Sequence, residues 1–507
     1  MGNRFGKRST FPAAHKFLAG TSYVVDCFTH DAIPGVTAYF LSHFHADHYA
    51  GLGRKFRGTP IFCSPITAQL CQLQLRLPAA MLHPLPLGCP ILVSEIIQKE
   101  REYACVSLKD EHIRLSDNDA ENPVDINILD ADTSERSLST YPEISQPRVS
   151  VTLFDANHCP GAVMFLFTIE DASSKISRHI LHTGDFRACP ERIIGAPALT
   201  PFLGKGDELS GSAIQKQASK PKVLDVVYLD TTYMESRMVF PSQEHVLTLL
   251  TDEVHRIVVQ GNRGKLIPLS YLIVVGTYTI GKERVCERLA KLLATRLWTA
   301  SDRKRAIMEL LFPAEMLSDD PLTARVHVVN MMDLSSDEVL GAMLDRFRPH
   351  YTHIIAVRAT GWTAGQPFRS KVAPKAKMVT GIKFATKAEL TIEPHQASGD
   401  HLMIEKTIEA GSAKVCIKQE GIDPNDLQDA QKQTQYVEKP TLSTGQTQPS
   451  IRSSSRKGTL PRHRGRITFL EVPYSEHSSS EELQNFLAAF QIGTVIPTVE
   501  GSWSYSK

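Results

Sequence analysis

The sequence predicts an α/β architecture. Three observations carry that expectation: apolar runs of strand length end one after another in turns bearing an acid or an imidazole, helix-period and strand-period segments alternate from Ser242 onward, and the stretches between these runs are polar and aperiodic. At about 150 residues per domain, 507 residues suggest roughly two to four units. Fifty-six Lys plus Arg against 55 Asp plus Glu leave a formal net charge of +1, so a polyanion must be met by a local basic patch and not by a global field. The nine cysteines are scattered, odd in number and without a C-x-x-C pair, which fits free thiols in a reducing compartment. The charged start Met1 to Arg8 has no apolar region behind it, and no stretch is long enough to span a bilayer, so cytosol or nucleus is expected and no membrane. Gly6 stands where myristoylation would need Ser or Thr.

A β-branched and aromatic run over 22–28 reads as the first strand, interrupted by Asp26. That carboxylate either faces the surface or orients ligands on the next strand. The apolar run 38–41 leads straight into Ser42-His43-Phe44-His45-Ala46-Asp47-His48. If His43 and His45 end a strand, the period of two points both rings to one face, and the turn brings Asp47 and His48 back toward them. Three imidazoles and a carboxylate suit zinc, and manganese or iron less exclusively. A His-rich surface turn is the alternative, but it leaves the apolar lead-in unexplained. Residues 49–56 read as helical, 61–63 as a strand, and 67–77 as a helix with Leu70, Leu73 and Leu77 on one face, ended by Pro78 and a Pro-rich loop. From about 94 to 147 the chain is acidic and weakly periodic, which reads as a disordered loop insertion unsuited to contact with a polyanion.

Two apolar strands, 150–155 and 162–167, flank a tight turn carrying His158, placed either as a ligand or to bond its own turn. Strand 179–181 delivers His182-Thr183-Gly184-Asp185, and an acid there can bridge two metals. A Gly-, Pro- and Ser-rich second insertion is expected over about 195–220. Strand 226–229 then ends in Asp230. Acids and imidazoles at the ends of successive strands are what an α/β active-site edge requires.

Beyond Ser242 the reading is helix 244–258, strand 266–275, helix 281–293, helix 303–311, strand 325–329, helix 336–347 and strand 352–357. The turn 275–282, with Thr277, Tyr278 and Lys282, reads as an anion site at a helix N-terminus or as an ordinary strand-helix turn; Glu283 after Gly281-Lys282 rules out a Walker A loop. Arg358, Thr360 and Trp362 at the end of the last of these strands suit phosphate and base contact, with Trp362 alternatively in a core. A third insertion spans about 367–464, with short strands near 378–384 and 402–404 and basic edges, Arg369 to Lys377 and Arg456 to Arg466. Such edges fit a solvated tail, nonspecific nucleic-acid affinity or a nuclear address. Strand 467–472, the turn carrying His477, a helix over 480–490 capped by Ser479 or Ser480 with Glu482 in its first turn, and strand 494–496 complete the chain.

These segments together resemble the metallo-β-lactamase fold with a β-CASP insert, in its DNA-processing branch. The DNA cross-link repair 5'-exonucleases fit better than their relative Artemis. The resemblance runs from Tyr23 to Val499 through the His43 to His48 cradle, Asp155-Ala156-Asn157-His158-Cys159-Pro160-Gly161, His182-Thr183-Gly184-Asp185-Phe186-Arg187, Leu229-Asp230-Thr231-Thr232-Tyr233, Gly276-Thr277-Tyr278 with Gly281-Lys282-Glu283, Thr360-Gly361-Trp362-Thr363 and Pro473-Tyr474-Ser475-Glu476-His477-Ser478-Ser479. It implies an αββα sandwich over 1–239, a β-CASP cap over 240–465, and a return to the sandwich over 466–507.

It further implies one metal held by His43, His45, His158 and Asp185 and a second by Asp47, His48, Asp185 and His477, with Asp230 as the acidic motif beside the site and Asp26 behind the ligands. The expected cofactor is one or two Zn²⁺, with Mg²⁺ or Mn²⁺ an option at the second position. The expected activity is hydrolysis of DNA from a 5'-phosphorylated end, single-stranded or in damaged duplex, in cross-link repair in the nucleus. Thr277, Lys282 and Thr360 would hold the 5'-phosphate. Val499 stands where the RNA-processing branch has a His, which favours DNA. The family continues into helical sequence where this chain stops at Lys507, and some relatives carry an N-terminal zinc finger; a shortened last layer and no targeting by such a finger are therefore expected. The rival readings are an RNA endonuclease or small-ester hydrolase of the same fold, and a DNA-end-binding scaffold with a dead metal site.

Overall fold

In a computed structural model the described residues are 13–28, 32–58, 60–102, 147–171, 176–204, 221–236, 238–361, 383–384, 452–454, 463 and 465–499. The first sheet is parallel, with β1 (Tyr23–Val25), β2 (Ala38–Phe40), β3 (Ile61–Cys63) and β4 (Leu82–Pro84) in that order. The helix α1 (Pro65–Leu70) lies between β3 and β4 and is capped by the Ser64 hydroxyl, which accepts from the Thr67 N–H. β5 (Pro90–Leu92), a helix α2 over 93–102, and the long antiparallel strands β6 (Arg148–Asp155), β7 (Val163–Glu170) and β8 (Ser177–His182) follow, then β9 (Leu224–Leu229) parallel to β8.

Next the chain alternates: α3 (Gln243–Asn262), β10 (Tyr271–Thr277), α4 (Glu283–Leu292), β11 (Leu297–Trp298), α5 (Asp302–Leu311), β12 (Val326–Asn330), α6 (Asp337–Arg346) and β13 (His353–Ala359). The two-residue β14 (Lys383–Phe384), β15 (Arg452–Ser454), β16 (Ile467–Val472), α7 (Ser480–Ala489) and β17 (Ile492–Pro497) end it. A second sheet has the order β14-β17-β9-β8-β7-β6-β5, and a third β11-β12-β10-β13-β16-β15.

Period-two alternation explains the layers. Phe40 on β2 meets Phe165 and Phe167 on β7 at ring distances of 5.5 and 4.9 Å, so the first two sheets face each other across an apolar core that also takes Val25, Tyr228 and Ile496. The intervening residues, Tyr39 on β2 and Met164 and Leu166 on β7, join the outer core with Leu70, Phe486 and Leu487, which are helical. In the third sheet Ile273 and Val275 lie in one core with residues of α3 and α4, while Leu272 and Val274 lie in another with Leu340 and Leu344 of α6. The architecture is thus the expected αββα sandwich carrying an α/β cap.

Several sequence expectations are corrected. Residues 49–56 are turns and not a helix, because Gly51 adopts a left-handed φ of 94°. The helix expected at 67–77 starts at Pro65, turns π-helical over Cys71–Leu75, and leaves Leu73 exposed. The expected Pro-rich loop carries β4 and β5. The first insertion begins inside α2, whose Val93 and Ile97, four residues apart, are buried between the sheets; 103–146 lie outside the described residues. At the second insertion, Leu199 and Phe202 are core residues, and 205–220 lie outside the description.

The strand expected from 266 starts at Tyr271, because β10 is paired on both sides and Pro268 cannot donate to a central ladder; Leu266 and Ile267 are exposed. Of the third insertion β14 and β15 are described, and 402–404 are not. The largest difference concerns the return to the sandwich: β16 pairs with β13 in the cap sheet, so the chain re-enters the sandwich after Val472 and not at 466, through α7 and β17.

Candidate metal centre

The cluster forms where the sandwich strands and β16 all end. His43 and His45 follow β2, His158 follows β6, Asp185 follows β8, Asp230 follows β9 and His477 follows β16. Asp185 Oδ2 lies 3.6 Å from His43 Nε2, 3.2 Å from His48 Nε2, and 3.9 Å from both His158 Nε2 and His477 Nε2. His45 Nδ1 is 3.0 Å from His43 Nε2 and 3.2 Å from His158 Nε2. Asp47 Oδ2 is 3.6 Å from His48 Nε2 and its side chain is 80% exposed. Among the described residues, ligand atoms close enough to share an ion occur in four groups: His43, His45, His158 and Asp185; Asp26, His43 and His48; Asp47, His48 and Asp185; and Asp185, Asp230 and His477, so His477 groups with Asp185 and Asp230 and not with Asp47 and His48.

Hydrogen bonds fix which ring nitrogen is bare. His45 Nε2 lies 3.2 Å from the Ile280 carbonyl and His158 Nδ1 lies 2.8 Å from the Glu476 carbonyl; a carbonyl only accepts, so each of these nitrogens carries the proton. Ser42 gives its hydroxyl proton to Asp26 Oδ2 at 2.6 Å, so it can only accept from His43 Nδ1 at 2.9 Å. His48 Nδ1 donates to Asp26 and His477 Nδ1 to Asp230, each at 2.8 Å. The nitrogens left facing the centre, His43 Nε2, His45 Nδ1 and His158 Nε2, therefore present lone pairs to one another at 3.0 and 3.2 Å. Three converging lone pairs repel unless a cation lies among them, so these residues fit a divalent metal.

The electrostatics divide the cluster. Burial pushes His43 well below the usual imidazole range, lowers His45 and brings His158 to about 3, which keeps these rings neutral. Burial acts the same way on His48 and His477, but carboxylates on both sides outweigh it. Asp185 and Asp26 raise His48 well above 6.5, and Asp230 and Asp185 raise His477 to about 9. For Asp185 and Asp26 burial is opposed by the imidazoles, His48 first, and both end below the usual carboxylate range. Asp230, expected beside the site, is buried and fully engaged: one oxygen takes His477 Nδ1 and the Phe186 N–H, the other the N–H and hydroxyl of Thr232.

The expected phosphate residues do not converge as a free anion site. The Gly281 N–H donates to the Glu283 carboxylate, the Lys282 N–H donates to Glu476 Oε1 at 2.8 Å, and Lys282 Nζ pairs with Glu476 Oε2 at 2.7 Å. The chain's own carboxylates thus fill the place an anion would take. Thr277 is buried with its hydroxyl toward the Val329 carbonyl, Arg358 reaches Ser335, Tyr278 is exposed, and Thr360 lies beyond β13. Trp362 is outside the described residues.

Three further contributors have roles that the local sequence does not signal. Ser42 and Glu476 were hidden because their roles depend on partners far away. The buried Arg187 bonds Glu482, the Ser475 carbonyl and the Pro241 carbonyl, tying α7 and the His477 turn to the sandwich. A cavity of about 420 Å³ opens onto the cluster, lined also by Lys16, His182, Thr498 and Val499. All seven cysteines among the described residues are free, and no helix among them is long and apolar enough to cross a membrane.

Residues 312–502 match the family model described as DNA repair metallo-beta-lactamase. The chain is 27% identical over 500 residues to the DNA cross-link repair protein pso2/snm1 of Schizosaccharomyces pombe, covering 98% of this chain and 63% of that protein. It is 30% identical over 376 residues to the DNA cross-link repair 1A protein of Homo sapiens, covering 73% of this chain and 28% of that one. With the 5' exonuclease Apollo of Danio rerio it shares 27% identity over 326 residues, 64% of this chain and 42% of that one. The chain spans less than two thirds of each of these three relatives.

Proposed function

The chain belongs to the DNA cross-link repair metallo-β-lactamase family, and on that premise we propose that it is a metal-dependent 5'-exodeoxyribonuclease acting in interstrand cross-link repair in the nucleus. One observation supports this above the rest: Asp185 Oδ2 stands within 3.9 Å of imidazole nitrogens from both ends of the cluster, as a carboxylate shared by two ions must. His43, His45, His158 and Asp185 would hold one ion and Asp47, His48, Asp185 and His477 the other. Zn²⁺ suits the first set, and Zn²⁺, Mg²⁺ or Mn²⁺ the second. Bound there, such ions supply Lewis acidity toward phosphate oxygens and toward water.

The chain's own residues do the rest. Asp26 and Asp230 each accept the Nδ1 proton of one ring, His48 and His477, so that Nε2 is the nitrogen turned toward the centre. The parallel strands β10, β12, β13 and β16 all end toward the His477 turn, and in such sheets ligands lie beyond the carboxyl ends of the strands. With Lys282 committed to Glu476, the phosphate of the DNA end falls to the groups at that edge, Tyr278, Arg358 and Thr360.

The test is digestion of 5'-phosphorylated and 5'-hydroxyl single strands, DNA and RNA, with and without a chelator. Chelator-sensitive degradation of the phosphorylated DNA is expected. Cleavage confined to RNA, or DNA binding without cleavage, would replace this reading with an RNA endonuclease or an end-binding scaffold. Asp47→Ala and His45→Ala are each expected to abolish digestion while DNA affinity stays within a few fold; full activity in either would sink the assignment.

A further inference from the structure

The turn before α4 belongs to the cap, yet it touches the supports of two ligands of the sandwich. The Ile280 carbonyl takes the His45 Nε2 proton at 3.2 Å. Two residues on, Lys282 grips Glu476 twice, through its N–H at 2.8 Å and its ammonium at 2.7 Å, and the carbonyl of that same Glu476 takes the His158 Nδ1 proton at 2.8 Å. His45 and His158 are neighbours in the cluster, 3.2 Å apart between bare nitrogens. One short turn of the cap therefore sets the orientation of both rings.

The backbone of the turn is shaped for this contact. Gly281 has φ +109° and Lys282 φ +70°, so successive N–H groups point into one concavity, which the carboxylates of Glu283 and Glu476 occupy. A non-glycine residue in the left-handed region costs roughly 1 kcal/mol and needs compensation from its surroundings. A Cβ added at Gly281 would come within 3.1 Å of Glu476 Oε2. Lys282 is 5% exposed and its ammonium also lies 5.3 Å from the centre of the Tyr474 ring, so its charge is withheld from solvent and from substrate. Burial would raise Glu476, but the Lys282 ammonium overrides it and brings the carboxyl down to about 2.

We propose that Lys282 is a positioning residue for the metal centre: through Glu476 it fixes His158, and with the Ile280 carbonyl it makes the seating of the cap a condition for the geometry of the first metal. The proposal rests on the reading that His43, His45, His158 and Asp185 hold an ion. Replacing the lysine side chain removes its ammonium from Glu476 while the Lys282 N–H contact stays, so the Glu476 turn can shift and move the carbonyl that takes the His158 Nδ1 proton. Loss of such an outer partner typically weakens metal binding by about 10- to 100-fold.

Cobalt(II) is the probe, because its visible absorption reports the ligand geometry. Metal-stripped wild type, Lys282→Met and the double variant Lys282→Met/Glu476→Gln would be titrated with Co²⁺ against a competing chelator, with thermal melts of each metal-free protein. The double variant keeps the Glu476 carbonyl but has no uncompensated buried charge, so it carries the test if Lys282→Met does not fold. Expected are first-ion binding weakened by about 10- to 100-fold and an altered spectrum in both variants, with the double variant melting close to wild type. Wild-type affinity and spectrum in the double variant would overturn the proposal. Wild-type protein that takes up no cobalt would overturn the metal reading beneath it.

Discussion

The two ends of the cluster share Asp185 but are built in opposite ways. At one end His43, His45 and His158 are backed by neutral oxygens, a serine hydroxyl and two carbonyls; His43 and His158 are buried, and His45 is half-buried at the cavity wall. At the other, His48 and His477 are each backed by a carboxylate, and Asp47 stands 80% exposed at the mouth of the cavity. Neutral, largely buried, nitrogen-rich coordination retains a borderline metal. Basic imidazoles with an exposed carboxylate give a more anionic site whose ion is open to exchange and to substrate. The difference implies a division of labour, one end for retention and one for access.

Asp185→Asn attacks the one group common to both ends. It is expected to lower nuclease activity by about 10³-fold or more and to reduce bound metal at both positions, measured by elemental analysis beside a melt showing that the fold persists. Retention of two ions would mean that the ends do not share this carboxylate.

Asp26→Asn and Asp230→Asn sharpen the contrast, because each removes the charge behind one open-end imidazole. Metal affinity at the open end should fall by about 10- to 100-fold in each, with the buried end unchanged. Equal losses at both ends would erase the proposed asymmetry. Partial chelation of the wild type makes the same point without a substitution: the open-end ion should leave at a chelator concentration at least about 10-fold lower than the buried-end ion, so that a one-metal, inactive form accumulates. Simultaneous loss of both ions would contradict it.

The residues proposed as ligands were legible in the sequence because their chemistry resides in their side chains. His43, His45, His158, Asp185 and His477 each stand at the end of an apolar run. What holds them was not legible. The Ile280 and Glu476 carbonyls are groups every residue carries, and only the fold selects them. Lys282 beside glycines reads as a phosphate site because its carboxylate partner lies 194 residues away and cannot be seen from the local sequence. The placement of β16 was equally hidden: an apolar hexamer suits either sheet, and pairing with β13 decides it. The α2 helix was different. Val93 and Ile97 have helical spacing, while the acidic composition around them predicts a loop.

Ser42→Ala is the mildest test and the one that asks whether the two ends are independent. Its hydroxyl gives a proton to Asp26, which backs the open end, and accepts one from His43 Nδ1, at the buried end. Truncation leaves Asp26 the Ser42 main-chain N–H at 2.7 Å and its bond to His48, so the open end keeps most of its support. His43 Nδ1–H loses its acceptor inside the protein, a cost of about 1–3 kcal/mol that drives the ring toward the opposite tautomer, whose Nε2 proton would face the metal. Both dissociation constants should therefore rise, each by less than about 10-fold and the buried one more, the reverse of the order expected for Asp26→Asn. A change confined to the open end would show that Asp26, not the serine, carries all the coupling between them.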